Sequence, residues 1–268
     1  MILAIDIGNS NIVIGCINGH DIEHLYRIET DASRTEDEYA AGIKQILGLD
    51  GVGADIFDGA IISSVVPPLT GCMQTAVKKI TGLDALVVGA GMKTGLNIRI
   101  DDPAQLGSDL VATAVAAATH YELPAIIFDM GTATTIGLVD KGANFMGGAI
   151  FPGVAPSMNA LVSGTSQLPK VSIEAPARCI SANTIDCMKS GAIFGTASMM
   201  DGMIDRIEEE LGAKTRVIAT GGLAARVLPY CKHKIIHDAD LLLRGLAALY
   251  EKNVKPRAER ARATATRL

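Results

Sequence analysis

The chain has 268 residues, enough for one large domain or two lobes of about 130 residues each. Hydrophobic residues make up 49% and charged residues 20%, while Trp is absent and aromatics are 4%, so the core must be built from Ala, Ile, Leu and Val. The net charge of −5 argues against a nucleic-acid binder, which would carry a basic patch or stripe.

"MILAIDIG" opens the chain as a strand too continuously apolar to have a solvent face, and "NSNIVIGCING" and "HDIEHLYRIET" read as the next two strands. "TEDEYAAGIKQILGL" has apolar residues at helical spacing and acids in its first turn, a helix start. "DGAIISSVVPPL" reads as a buried strand that Pro67-Pro68 ends, followed by a helix over "LTGCMQTAVKKITG" and a strand at "ALVV". "SDLVATAVAAATHY" is an Ala-rich helix with Ser108 or Asp109 at its cap. After Leu123-Pro124 the pattern restarts with strands at "AIIFDMGT", "TTIGLVD" and "FMGGAIFPG". "SMNALVSGTSQL" and the long run "NTIDCMKSGAIFGTASMMDGMIDRIEEELG" look helical, "TRVIATGG" is a strand and "ADLLLRGLAALYEK" a closing helix. Met199, Met200, Met203 and Ile204 form a helical stripe that reads as core.

Several features read as plain structure. Residues 252–268 hold six Lys or Arg against one Glu, a solvated basic tail that leaves the rest of the chain near −10. Cys16, Cys72, Cys179, Cys187 and Cys231 form no C-x-x-C pair and have no His at zinc spacing, which fits buried, reduced thiols. The five His do not cluster at metal spacing. The N-terminus lacks a basic lead, Asp6 interrupts its apolar run, and no window of about 20 residues is apolar enough to span a membrane. A cytoplasmic protein with no membrane partner is expected.

"AIDIGNSNIVIG" (4–15) and "IFDMGTATTIGLV" (127–139) repeat one pattern of strand, Asp-x-Gly, polar turn and strand. Glycine lets the backbone approach an anion, and successive turn N–H groups can form an anion nest. The acid cannot bind phosphate, so a functional Asp6 or Asp129 holds a cation or a water in a cation's shell. A single such turn is ordinary hairpin chemistry, but two copies one lobe apart point to a shared phosphate cleft. "VIATGGLA" (217–224) adds Gly221-Gly222, where a flat ligand could lie against backbone. For Asp109, helix capping and general-base catalysis remain alternatives on the residues alone; the helix N-terminus would keep it ionised.

Asp6-Ile-Gly-Asn-Ser, Asp129-Met-Gly-Thr-Ala-Thr and Thr220-Gly221-Gly222 resemble the two phosphate motifs and the adenosine motif of the acetate kinase, sugar kinase, Hsp70 and actin superfamily. With "SSVVPPLT" (63–70), "KTGLNI" (93–98), "GGAIFPG" (147–153) and Asn183-Thr184, the chain from about residue 1 to 250 resembles type III pantothenate kinase. The resemblance implies an α/β fold of two similar ribonuclease H-like lobes, 1–118 and 119–250, an interlobe ATP cleft, and a basic tail at 251–268. It implies phosphorylation of pantothenate by Mg²⁺-ATP in coenzyme A synthesis, in a homodimer that needs K⁺ or NH₄⁺. Asp6, Ile7, Gly8, Asn9, Ser10, Asn11, Ile12 and Val13 would form the first phosphate loop, with Asp6 near the metal. Thr132, Gly221 and Gly222 would contact ATP, and Asp129 would bind the monovalent cation. Ile100, Gly107, Ser108, Asp109 and Leu110 would line the pantothenate site with Asp109 as base, and Thr184 would reach pantothenate from the opposite subunit. Two positions depart from the family pattern: "GADR" stands here as Gly107-Ser108-Asp109-Leu110, and a Tyr before the "DDP" turn is Ile100. Arg99 or Lys93 is a candidate for the missing positive charge. The alternatives are another small-alcohol or sugar kinase of the superfamily, or a nucleotide-binding regulatory protein that has lost turnover.

Overall fold

The computed structural model describes residues 1–254; the basic tail expected over 251–268 lies outside them from residue 255 onward. The first elements are β1 (Ile2–Ile7), β2 (Asn11–Asn18), β3 (Asp21–Glu29), α1 (Glu36–Leu49), β4 (Gly59–Ser64) and α2 (Pro67–Thr81). Two short strands, β5 (Leu86–Val87) and β6 (Asn97–Ile98), precede α3 (Ser108–His120). A second series follows with β7 (Ala125–Met130), β8 (Ala133–Val139), β9 (Asn144–Pro152), α4 (Val154–Ser163) and α5 (Thr184–Ser190). A π-helical turn, Gly191–Gly195, joins α5 to α6 (Thr196–Leu211). The chain continues through β10 (Arg216–Thr220), α7 (Ala224–Val227), β11 (Ile236–His237) and α8 (Leu241–Asn253).

The two sheets repeat one topology. The first has the order β3-β2-β1-β4-β5, and the second contains β9-β8-β7-β10-β11 with β6 added beyond β9. In each, a central strand (β1 or β7) pairs antiparallel with the next strand and parallel with a later one (β4 or β10). The duplication expected from the Asp-x-Gly repeat is therefore present in the strand order itself. This is the duplicated mixed-sheet α/β fold.

Two compact units result. One comprises residues 1–95, 102–119 and the described residues from Leu242 onward; the other comprises 96–101 and 120–241. These units differ from a continuous division at 118/119 with a second lobe to 250 at two places. α8 belongs with the first unit, and the segment carrying β6 belongs with the second, because β6 pairs with β9 at Asn97↔Asn144 and Ile98↔Phe145.

In the first unit, Leu3, Ile5, Ile7, Ile12 and Ile14 form one sheet face and pack with Tyr39, Ile43 and Leu47 of α1 and Leu69 and Met73 of α2. Thr35 caps α1 in a capping box with Glu38. Pro67 and Pro68 do not end the strand as expected, since β4 already stops at Ser64. They occupy the first helical turn of α2, where a missing N–H costs nothing. The opposite face is covered by α3 and α8, which cross at backbone contact: a Cβ on Gly245 would lie 1.9 Å from the carbonyl oxygen of Ala112. Gly245→Ala should force the helices apart and destabilise the protein by about 1–3 kcal/mol or more, read as a lower midpoint in urea.

In the second unit, Ile126, Phe128, Met130 and Ile136 pack against Val154, Met158, Met188, Ile193, Met200 and Ile204. The Met199–Ile204 stripe is core on this face, as its spacing predicts. α4 begins at Val154 rather than Ser157 and ends at Ser163, and the single long helix expected after Asn183 is interrupted by the π turn between two glycines. The five cysteines are free, but only Cys16 is buried; Cys179 and Cys187 are exposed, contrary to expectation. Among the described residues no helix is long and apolar enough to cross a membrane.

Candidate active site

The β1–β2 turn follows from its sequence. Asp6 pairs with Val13 and Ile7 with Ile12, and the Gly8 N–H closes the turn on the Asn11 carbonyl at 3.0 Å. Asn9, Ser10 and Asn11 are exposed, Asp6 is half-buried, and Ile7 and Ile12 are core, so the two isoleucines offer a ligand only their backbone. Thr30, just past β3, buttresses the turn: its hydroxyl donates to the Gly8 carbonyl at 2.7 Å and its N–H to the Ser10 carbonyl at 3.2 Å. Nothing local in the sequence distinguishes Thr30 from any strand-end Thr.

The β7–β8 turn has the same form. Asp129 pairs with Thr135, and the Gly131 N–H donates to the Ala133 carbonyl at 3.0 Å, leaving Thr132 exposed. Thr134 is buried and Thr135 half-buried. Two further glycines hold this turn. The Gly153 N–H donates to the Thr132 carbonyl at 3.0 Å, and a Cβ on Gly153 would meet the Gly131 and Thr132 carbonyl oxygens at 2.3 and 2.5 Å. Gly221, after β10, has φ +96° and lies so close that a Cβ would be 2.6 Å from the Met130 N and O. Gly222 beside it is exposed. Asp129, Thr132, Gly221 and Gly222 are thus brought together around one exposed turn.

The start of α3 corrects one expectation and adds to another. Ser108 does not cap the helix. It is 9% exposed, accepts the Ser64 N–H at 2.9 Å, donates to the Ser64 carbonyl at 3.0 Å and meets the Ser63 hydroxyl at 3.0 Å. Asp109 folds back on the helix, its Oδ1 taking the Leu110 N–H at 2.8 Å. Burial pushes the Asp109 carboxyl above the usual carboxylate range, and the amides of Leu110 and Asp109 only partly offset it. Ionisation is therefore harder here than the helix N-terminus alone suggests, and the carboxylate is the more basic for it. Gly107 and Leu110 flank it, both half-buried.

Ile100 sits at the end of β6's segment against β9, where a Cβ on Gly147 (φ +106°) would touch its Cγ2 at 3.7 Å. Arg99 points the other way. Turning the Asn97 amide oxygen toward it gives contacts of 2.6 and 2.9 Å to its guanidinium. The Asp140 carboxyl is held low by hydrogen bonds from Asn144 and Gly142, with Arg99 adding a smaller attraction. Lys93 is held through its backbone, donating to Asn253 Oδ1 at 2.8 Å. Thr184 is the exposed first residue of α5, capped by Asn183, whose side chain accepts the Asp186 N–H at 2.9 Å. It opens onto a cavity of about 630 Å³ lined largely by apolar groups, among them Phe151, Met158, Leu161, Cys187 and Met199. Among the described residues no three His, Cys, Asp or Glu gather as a metal cage.

The family model of type III pantothenate kinase matches residues 2–206. A Brevibacillus brevis type III pantothenate kinase is 43% identical over 255 residues, covering 94% of this chain and 99% of the relative. One from Pelobacter propionicus is 43% identical over 253 residues, covering 94% of this chain and 100% of the relative. Among solved structures, a conserved Baf family protein of Campylobacter jejuni superposes with a TM-score of 0.58 at 21% identity, over 93% of this chain and 97% of that one. Component A of the Acidaminococcus fermentans (R)-2-hydroxyglutaryl-CoA dehydratase gives 0.55 at 14% identity, over 92% and 96%, a likeness of fold alone. By the extent of the family match and the near-complete mutual coverage of its relatives, the chain belongs to the type III pantothenate kinase family.

Proposed function

We propose that the protein transfers the γ-phosphoryl group of ATP to the primary hydroxyl of pantothenate, giving 4'-phosphopantothenate and ADP in the cytoplasm. The observation that carries this reading is the duplicated strand–Asp-x-Gly–turn–strand unit, the first turn buttressed by Thr30 and the second held by Gly153 and Gly221, in a chain of this family. The donor set fits the groups the reaction needs. Half-buried carboxylates beside exposed glycine turns suit hard cations, and Mg²⁺ is typically bound by one or two carboxylates plus substrate phosphates rather than by a protein cage.

In this reading the backbone of Asp6–Val13 and the groups at Thr132, Gly221 and Gly222 bind ATP. Asp6 acts on Mg²⁺-ATP, directly or through a water. Asp129 holds K⁺ or NH₄⁺. Mg²⁺ supplies charge neutralisation on the phosphates when bound. Asp109 takes the proton of the pantothenate hydroxyl as its oxygen bonds to the γ-phosphorus and the bond to the ADP oxygen breaks. Ile100, Gly107 and Leu110 surround the acceptor, and Thr184 reaches it from the partner in a homodimer. Exposed Ile180 (86%), just before α5, and Ile185 (47%), within it, support a covered surface there. The orientation of Arg99 toward Asn97 argues against it as the replacement for the missing arginine.

The test is product analysis by mass after incubation with Mg²⁺-ATP and pantothenate, in KCl or in NaCl at equal ionic strength. Pantothenate should gain one phosphoryl group in KCl, and formation should fall by at least about tenfold in NaCl. Unchanged pantothenate in both would overturn the reading.

A further inference from the structure

β4 is an apolar strand until its last two residues, Ser63 and Ser64, and both hydroxyls are spoken for within the first unit. Ser63 is fully buried and is the register partner of Asp6 across the parallel β1–β4 pair, so both side chains leave the sheet on the face away from α1 and α2. On that face the Ser63 hydroxyl meets the Ser108 hydroxyl at 3.0 Å. Because Ser108 spends its own proton on the Ser64 carbonyl at 3.0 Å, Ser63 is the donor of the pair. Ser108 also accepts the Ser64 N–H at 2.9 Å, and the Ser64 hydroxyl takes the Thr70 hydroxyl at 2.9 Å from the first turn of α2. Every hydrogen-bonding site of Ser108 is used by β4, and none is left to hold a substrate.

We propose that Ser108 is a positioning residue rather than an acceptor contact: with Ser63 it forms a buried strut that fixes Asp109, the next residue, relative to β1 and Asp6. A strut suits this place because α3 begins here. Asp109 is only one peptide from the anchored hydroxyl, so a shift of the helix start moves the carboxylate directly, and a displacement of about 1 Å can cost about 100-fold in rate. Ser108 thus leaves the list of acceptor contacts. The inference rests on Asp109 being the base.

The experiment uses full-length Ser108→Ala and Ser63→Ala, each alone and combined with Asp109→Asn, with kcat, KM for ATP and thermal midpoint measured. Each serine variant should lower kcat by about 10- to 100-fold with KM for ATP changed less than about twofold. That loss should disappear when Asp109 is already Asn, since the strut then has no base to position. Ser108→Ala also strips the Ser64 N–H of its acceptor; if it fails to fold, Ser63→Ala, which keeps that bond, carries the test. Wild-type kcat in either serine variant, or the same loss in the Asp109→Asn background, overturns the strut while leaving the base intact. Wild-type kcat in Asp109→Asn alone overturns the base assignment and the strut with it.

Discussion

Asp109→Asn should lower kcat by about 10²- to 10⁴-fold while leaving KM for ATP unchanged, because Asn keeps the shape and still accepts the Leu110 N–H but cannot take a proton. The pH behaviour follows from the direction of its shift. Burial raises the Asp109 pKa, and the base works only when ionised, so kcat/KM should fall on the acid side through a limb lying above the ordinary carboxylate value of about 3.9. Stability runs in the opposite sense. A carboxyl whose folded pKa exceeds its unfolded value contributes most below the unfolded pKa, and that contribution is lost as pH rises through the folded one. At pH 7 the wild type carries this penalty and the Asn variant does not. Asp109→Asn should therefore melt higher than wild type at pH 7, with the difference closing below about pH 4. An inactive but stabilised variant would identify a residue retained for chemistry; an inactive and destabilised one would return Asp109 to a structural role.

Gly221→Ala is expected to damage nucleotide binding. At φ +96° an L residue is strained by about 1–3 kcal/mol, and the added carbon would lie 2.6 Å from the Met130 backbone. Neither partner is a flexible side chain, so Met130 must move, and Gly131 and Thr132 follow it directly in the chain. ATP affinity should weaken by at least about tenfold, with a lower thermal midpoint. Gly202→Ala in α6, where a methyl meets nothing within 4 Å, is the control and should be neutral or stabilising by up to about 1 kcal/mol. Equal ATP affinity in the two variants would contradict the role given to Gly221.

Much of this was legible in the sequence because the signals are local. The apolar runs at Ile2–Ile7 and Ala125–Met130 have no solvent face, and each ends in Asp-x-Gly, so strand, turn and repeat could be read without coordinates. What escaped depends on partners far along the chain. Ser108 looks like a helix cap until its hydroxyl is seen to meet Ser63, 45 residues away. Pro67-Pro68 serves equally as a strand terminator or a helix opener, and the packing of Leu69 and Met73 decides it. α8 follows the second series in sequence, yet Gly245 lets it lie on Ala112 in the first unit, a closeness no local pattern announces. The upward direction of the Asp109 shift escapes the sequence because a helix N-terminus is visible there and burial is not.

The measurement that bears most directly on the central claim is ADP release by the wild-type chain with Mg²⁺-ATP and K⁺, titrated with pantothenate. The account predicts negligible release without pantothenate and, at limiting pantothenate, one ADP for each molecule added. Release that is independent of pantothenate, or absent while ATP still binds, would contradict it and shift the function to another acceptor or to a nucleotide-binding protein without turnover.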